Sequence, residues 1–349
     1  MNQTLSNHGN IKLYLIGNGF DLFHGVDSAY SSFRGYLRRK DPALSMELDS
    51  FFECKNLWAD FEDNLACLSR SAVMEQVDDA LEFGMTTMDE NDDDFLYADY
   101  YSSLERGTGV VSDLTETLPN RFRKWVERLS LPPGNRKRLF PAPDPGALYI
   151  TFNYTEFAEV LYGIPKERIL YLHGDRREKD KPLILGHGRD PEKEFDSWQT
   201  RHRNDPDLQP YRRGKKGRRY KNSSLPYLAY FQEDDAKSNW RSPIRYYAAE
   251  SAAETIEEYY DKTAKHTRQV IAENAAFFHS LKDVESVVVI GHSLSPVDYP
   301  YFKQVIRENK APDAMHWKIS VHNGADREKA ARLLSEMRID SNSAELFQL

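Results

Sequence analysis

IKLYLIGNGFD, Ile11 to Asp21, is the stretch on which the reading of the whole chain turns. Leu13 to Ile16 is a short apolar run that stops at Gly17-Asn18-Gly19. A run of that length ending in glycines predicts a buried strand feeding a turn. In a doubly wound α/β sheet, ligands bind in the crevice outside the carboxyl ends of such strands. Glycine lets backbone come close to a neighbour because no Cβ intervenes. The first expectation is therefore a nucleotide-phosphate loop, although Gly17 and Gly19 make only half of a dinucleotide fingerprint.

Composition narrows the function classes. The chain has 349 residues, 40% hydrophobic and 12% aromatic, enough for one large domain or a core with a substantial insertion. A net charge of -8 argues against a general polyanion binder while leaving room for a local basic patch. Two cysteines, Cys54 and Cys67, exclude a disulfide framework and a four-cysteine zinc ribbon, and they suit a reducing cytoplasm. The opening MNQTLSNHGN has no apolar signal region, and no run approaches membrane-spanning length. A cytoplasmic protein without a membrane partner is expected.

Outward from the glycine turn, Tyr30, Phe33, Tyr36 and Leu37 recur at helical spacing, as do Phe52, Leu57, Trp58, Phe61 and Leu65. Helical patterns continue to about residue 130, and a proline-rich return loop follows over Pro132–Gly146. Strand character resumes in LYITFN (148–153), RILYLHG (168–174) and PLILGHG (182–188). A basic excursion runs through Arg201, Arg203, Arg212, Arg213, Lys215, Lys216, Arg218, Arg219 and Lys221, and reads as a long loop. One long helix is expected over about 247–281, then a strand at 287–290, another in HWKISVHN, and a helix over 326–337. Alternating strands and helices predict a doubly wound, mostly parallel, Rossmann-like sheet. Residues 1–27 and 146–349 form the expected α/β core, with 28–145 as a helical insertion between the first and second core strands.

Several expected strands end in polar residues: Asp21, Asn153-Tyr154, His173-Gly174-Asp175, Gly186-His187-Gly188 and Gly291-His292-Ser293. In a parallel sheet these ends share one edge. An imidazole such as His173 can serve as general base toward water or a ribose hydroxyl, and an asparagine amide such as Asn153 can orient that water. Gly-His-Ser-Leu-Ser lacks the second glycine of a serine-hydrolase elbow, which argues against that chemistry. A metal cluster of His173, Asp175, His187 and His292 lacks tight ligand spacing, so no metal is expected. Asp298 either caps the helix that follows it or holds a ribose hydroxyl. Tyr211 and Tyr220, set among the basic residues of 201–221, leave open a nucleic-acid contact.

GNGFDLFHGVDSAYSSF (17–33), WADFEDNL (58–65), TFNYTEFAEVLYG (151–163), LHGD (172–175), ILGHG (184–188) and IGHSLSPVDYPYF (290–302) closely resemble the bacteriophage abortive infection AbiH family. That family is grouped by similarity with the sirtuin-like NAD-binding fold. Gly17-x-Gly19-x-Asp21-x-x-x-Gly25-Val26 is similar to the sirtuin phosphate loop, which carries serine where Asp21 stands. Asn153 and Tyr154 fall in a block similar to that of sirtuin-type NADases, and His173 matches their catalytic histidine. Gly291 and Ser293 resemble a late turn on the adenosine side. The resemblance implies an antiphage effector that hydrolyses the N-glycosidic bond of NAD or a related nucleotide. NAD is then substrate or ligand, and no permanent cofactor is implied. Asn153 positions ribose or water, His173 is the base, and Asp21 stabilises developing oxocarbenium charge. Gly17, Asn18, Gly19, Phe20, Gly25, Tyr154, Gly291, Ser293 and Asp298 form the binding shell. Candidate partners are a nucleotide, a phage-encoded trigger, nucleic acid through 201–221, and a second copy of the chain.

Two cysteines cannot build the zinc module of sirtuin deacylases, which argues against acyl-lysine removal. Asp21 repels phosphate unless it faces ribose, pairs with Arg34 or Arg189, or meets a cation. Asn18 crowds a tightly apposed pyrophosphate. Two alternatives stay open: a nuclease or nucleotide-modifying enzyme using the same pocket and the basic loop, and a non-catalytic nucleotide-binding sensor.

Overall fold

The computed structural model describes residues 11–54, 56–188 and 243–349, together with the backbone of 211–213 and 219–221. Eight strands lie in these segments: β1 (Lys12–Ile16), β2 (Leu148–Thr151), β3 (Ile169–Tyr171), β4 (Tyr211–Arg213), β5 (Arg219–Lys221), β6 (Ser286–Ile290), β7 (His316–Val321) and β8 (Ala344–Gln348). Six of them form one parallel sheet in the order β3-β2-β1-β6-β7-β8, and β4 and β5 pair as an antiparallel hairpin. Counted within the sheet alone, that order is 3-2-1-4-5-6, the doubly wound, Rossmann-like arrangement whose switch point lies between β1 and β6.

Chain contacts divide the protein into two compact units. The first comprises Met1–Tyr36, Phe122–Gly188 and Lys265–Leu349, and contains the six-stranded sheet. Side-chain alternation along β1 builds both faces. Leu13 and Leu15 join Ile150, Val287 and Val289 in a core where each is at most 1% exposed. Burying each such side chain contributes about 1.5–3 kcal/mol. Tyr14, pointing the other way, stacks on Tyr149 at 4.9 Å. Trp317, Phe302, Phe278 and Leu333 fill the first face from β7 and the neighbouring helices.

The second unit comprises Leu37–Arg121 and Arg189–Ala264. Helices Arg70–Gly84 and Tyr97–Ser112 meet where Gly107 lies against Val77, so that a Cβ added at Gly107 would stand 2.6 Å from the Val77 Cα. Helix Pro243–Lys262 joins them through Arg70 to Glu257 at 2.6 Å and Arg245 to Asp78 and Glu82. Among the described residues between β1 and β2 there are helices and an isolated bridge between Phe52 and Leu68, but no strand element.

Three sequence expectations need correction. Residues 182–188 form no strand. The Ile184 N–H donates to the His173 carbonyl at 2.9 Å, and the Tyr154 hydroxyl donates to the Ile184 carbonyl, so the segment crosses the end of β3 instead of pairing along it. The long helix over 247–281 is broken into Pro243–Lys262, Thr267–Glu273 and Ala275–His279. The break falls where the Lys265 N–H leaves the helical ladder for the His187 carbonyl at 2.6 Å. Within the expected basic loop lies the β4–β5 hairpin. The remaining residues of 201–221 are outside the described residues, as is Arg189.

Candidate functional site

Register brings the polar strand ends together. Ile16, the last residue of β1, pairs with Thr151 on β2 and Ile290 on β6, and Thr151 pairs with Tyr171 on β3. The residues that follow, Gly17, Asn153, His173 and Gly291, therefore leave the sheet along one edge. Asp21, Asn153, Thr155, His173, Asp175 and Asp298 are all at most 6% exposed.

The glycines serve each other first. A Cβ on Gly17 would stand 2.6 Å from the His292 Cα, and one on Gly19 would stand 2.6 Å from the Gly291 Cα. Gly291 adopts a φ of 63°, and a Cβ there would meet the Phe20 nitrogen at 2.3 Å. The Gly17 and Gly19 N–H groups donate to the carbonyls of Ile290 and Gly291 at 2.9 and 2.7 Å. The turns after β1 and β6 thus pack backbone to backbone across the switch point. Glycine is required there before any ligand is considered. Gly291→Ala is expected to destabilise the protein by about 2–4 kcal/mol, through positive φ and overlap together, read as a lower urea midpoint. An unchanged midpoint would overturn this account of the turn.

Other members of the expected shell also have structural employment. The Asn18 amide donates to the Ser28 carbonyl at 2.8 Å. Phe20 is fully buried against His24 and Tyr162. Gly25, at a φ of 79°, turns the chain past Pro132. The Tyr154 ring lies 6.1 Å from that of His173, and Ser293 is exposed on its turn.

Asp21 and Asn153 are different. The Thr155 hydroxyl donates to Asp21 Oδ2 at 2.6 Å, but Asp21 Oδ1 and Asn153 Oδ1, both buried, have no hydrogen-bond partner among the described residues. Buried polar atoms are almost always satisfied, so such atoms in a native fold call for an explanation. Burial pushes the Asp21 carboxyl up to about 7, against the opposing pull of the Thr155 hydroxyl, the Asn153 amide and the Arg176 charge. Arg176 does not reach Asp21 directly: its guanidinium grips Glu156 and the carbonyls of Val126 and Leu129.

His173 faces a second carboxylate, on the turn after β6. Asp298 Oδ1 lies 3.6 Å from His173 Nε2 and 3.5 Å from Lys265 Nζ, and Oδ2 lies 3.4 Å from His292 Nε2. Burial works to raise this carboxyl. The Lys265 charge and the two histidines overcome that and hold it well below the usual carboxylate range. Lys265 and Thr155 were not anticipated. Thr155 stood inside a quoted motif, whereas Lys265 lies in an undistinguished polar stretch.

Asp175 is committed to structure. Arg177 donates to it from the backbone and the guanidinium, and Lys166 stands 3.4 Å away. Among the described residues no three His, Cys, Asp or Glu side chains are grouped to hold a metal ion. No helix of the described residues is long and apolar enough to cross a membrane.

Fold and edge together define a doubly wound α/β protein with buried, incompletely satisfied acid, amide and imidazole groups beyond its strands. The bacteriophage abortive infection AbiH family matches residues 13–321, and the chain belongs to that family. No curated protein and no solved structure gives a match.

Proposed function

We propose that the protein acts in abortive infection by hydrolysing the N-glycosidic bond of NAD or a related nucleotide at this strand edge. The observation that carries the reading is the pair of buried unpartnered oxygens, Asp21 Oδ1 and Asn153 Oδ1, at the ends of adjacent parallel strands. The His173 imidazole follows on the next strand of the sheet. Family membership supports the biological setting, and the sirtuin-like resemblance supports the choice of NAD.

In this reaction the bond between the anomeric carbon and the pyridinium nitrogen breaks, and nicotinamide leaves with the bonding pair. Positive charge grows on the ribosyl carbon and ring oxygen. Asp21, when ionised, supplies a fixed negative charge in a dry setting, where such stabilisation is strongest. Asn153 orients the attacking water, and His173 takes the proton that the water loses on bonding to carbon. A carboxyl that titrates near 7 also answers the objection that Asp21 repels phosphates, because its neutral form does not. Turnover is expected to rise across pH 7 as Asp21 ionises.

The test is the cellular NAD pool after induction of the wild type, His173→Ala or Asn153→Ala. Depletion by the wild type alone is expected. Intact growth arrest with unchanged NAD would remove the hydrolase reading and favour a sensor or a nucleic-acid enzyme.

A further inference from the structure

The cluster around Asp298 does more than fill space. Four ionisable side chains meet there, each almost fully buried: Asp298 at 5%, His173 at 3%, His292 at 2% and Lys265 at 0% side-chain exposure. The two histidines are not equivalent. The Leu294 N–H donates to His292 Nδ1 at 2.8 Å, so that nitrogen is an acceptor and the ring proton sits on Nε2, toward Asp298 Oδ2. Leu294 holds this arrangement at a φ of 55°, an unusual conformation for a buried leucine. With one nitrogen engaged and the other facing a carboxylate, His292 braces Asp298 and is unsuited to act as a base.

Among the described residues, no backbone N–H donates to the His173 ring, and its buried Nε2 makes no hydrogen bond. Its Nε2 looks at Asp298 Oδ1 from 3.6 Å, and a lone pair on that nitrogen would face the carboxylate with repulsion. The tautomer carrying its proton on Nε2 is favoured, which leaves Nδ1 basic. Three aromatic rings also stand near the imidazole: Phe152 at 5.4 Å, Tyr154 at 6.1 Å and Tyr301 at 6.3 Å. Tyr154 spends its hydroxyl proton on the Ile184 carbonyl. Among the described residues, the charged groups placed at this ring are Asp298 and, behind it, Lys265.

We propose that Asp298 and Lys265 are positioning residues for His173: the carboxylate fixes the imidazole with its proton on Nε2 and its base on Nδ1, and the buried ammonium balances that carboxylate so that neither ring must carry a second proton. Without Lys265, the cluster would hold an uncompensated buried anion, whose nearest source of neutrality is an imidazolium. His173 would then be spent as a counterion and lost as a base. The inference deepens the hydrolase reading by saying how its base is set, and it stands on geometry that needs no nucleotide.

The experiment is ¹⁵N NMR of the full-length chain labelled at histidine, without nucleotide, with His173→Gln and His292→Gln for assignment. At pH 7.5 the wild type is expected to show His173 protonated at Nε2 with an unprotonated Nδ1. In Lys265→Met, an imidazolium signal should appear at His173 at the same pH, where the wild type shows none. The double variant Lys265→Met/Asp298→Asn removes both charges and should restore neutral rings, and Lys265→Arg should keep the wild-type pattern. A wild-type His173 protonated at Nδ1 overturns the proposal, even where the lysine variants fail to fold. So does a Lys265→Met spectrum in which His173 stays as neutral at pH 7.5 as in the wild type. If the tautomer is as stated but NAD is not consumed, the hydrolase reading falls and this one stands.

Discussion

Replacing Asp21 with asparagine is expected to stabilise the fold at pH 8 by about 2–4 kcal/mol and to abolish the proposed nucleotide cleavage. The carboxyl ordinarily titrates at 3.8 and in the fold at about 7. Below about pH 4 it is protonated in both folded and unfolded chains and costs nothing. Between 4 and 7 the unfolded chain is ionised while the folded one keeps its proton, so stability falls as pH rises. Above 7 the loss is complete, about three pH units at ~1.36 kcal/mol each. Asparagine still accepts from Thr155 but carries no charge, so its advantage should grow from near zero at pH 4 to its full value at pH 8. Urea unfolding at both pH values measures this. Equal stability of variant and wild type at pH 8 would sink it. A residue that weakens its own fold at working pH is what a functional carboxylate in an apolar setting looks like.

Asp298→Ala is expected to act in the opposite direction, costing about 3–5 kcal/mol at neutral pH. The variant would take from Lys265, whose side chain is 0% exposed, the carboxylate that stands 3.5 Å from its ammonium. Because the folded Asp298 carboxyl is held far below its ordinary value, its contribution is fully present above about pH 4. It is lost as pH falls through the folded value. Two carboxylates beyond the ends of neighbouring strands thus carry opposite pH signatures. Adding Lys265→Met to Asp298→Ala should recover much of the loss, since the ammonium that faced the carboxylate goes with it. A loss below 1 kcal/mol for the single variant would show that solvent reaches the cluster.

The parts of this architecture that were legible are those with short-range signatures. Leu13–Ile16, Val287–Ile290 and the glycines after each announce strand ends, because a doubly buried strand must be apolar and its exit must bend. The convergence of Asn153 and His173 followed from parallel pairing alone. The use of the glycines was not legible, since Gly17 and Gly19 look the same whether they admit a phosphate or another turn. Lys265 was hidden for a different reason. It owes its position to a helix break caused by the His187 carbonyl, a contact between residues far apart in the chain. β8 escaped notice because AELFQ, at the sheet edge, is only half buried and lacks an apolar run. The partners of the 70–112 helices in 243–262 were equally invisible, since helix periodicity names a face and not what covers it.

The sheet order also governs how the chain reaches this state. β1 is central, yet Leu13 pairs with Leu148, 135 residues later, and with Val287, 274 residues later. During synthesis at about 5–20 residues per second, the KLYLI strand waits many seconds for either neighbour. Non-local parallel pairing of this kind folds slowly, because loop closure precedes any reward from contacts. A chain assembled in this order has an interval after translation begins in which its central strand is unpaired and its strand-end edge does not yet exist.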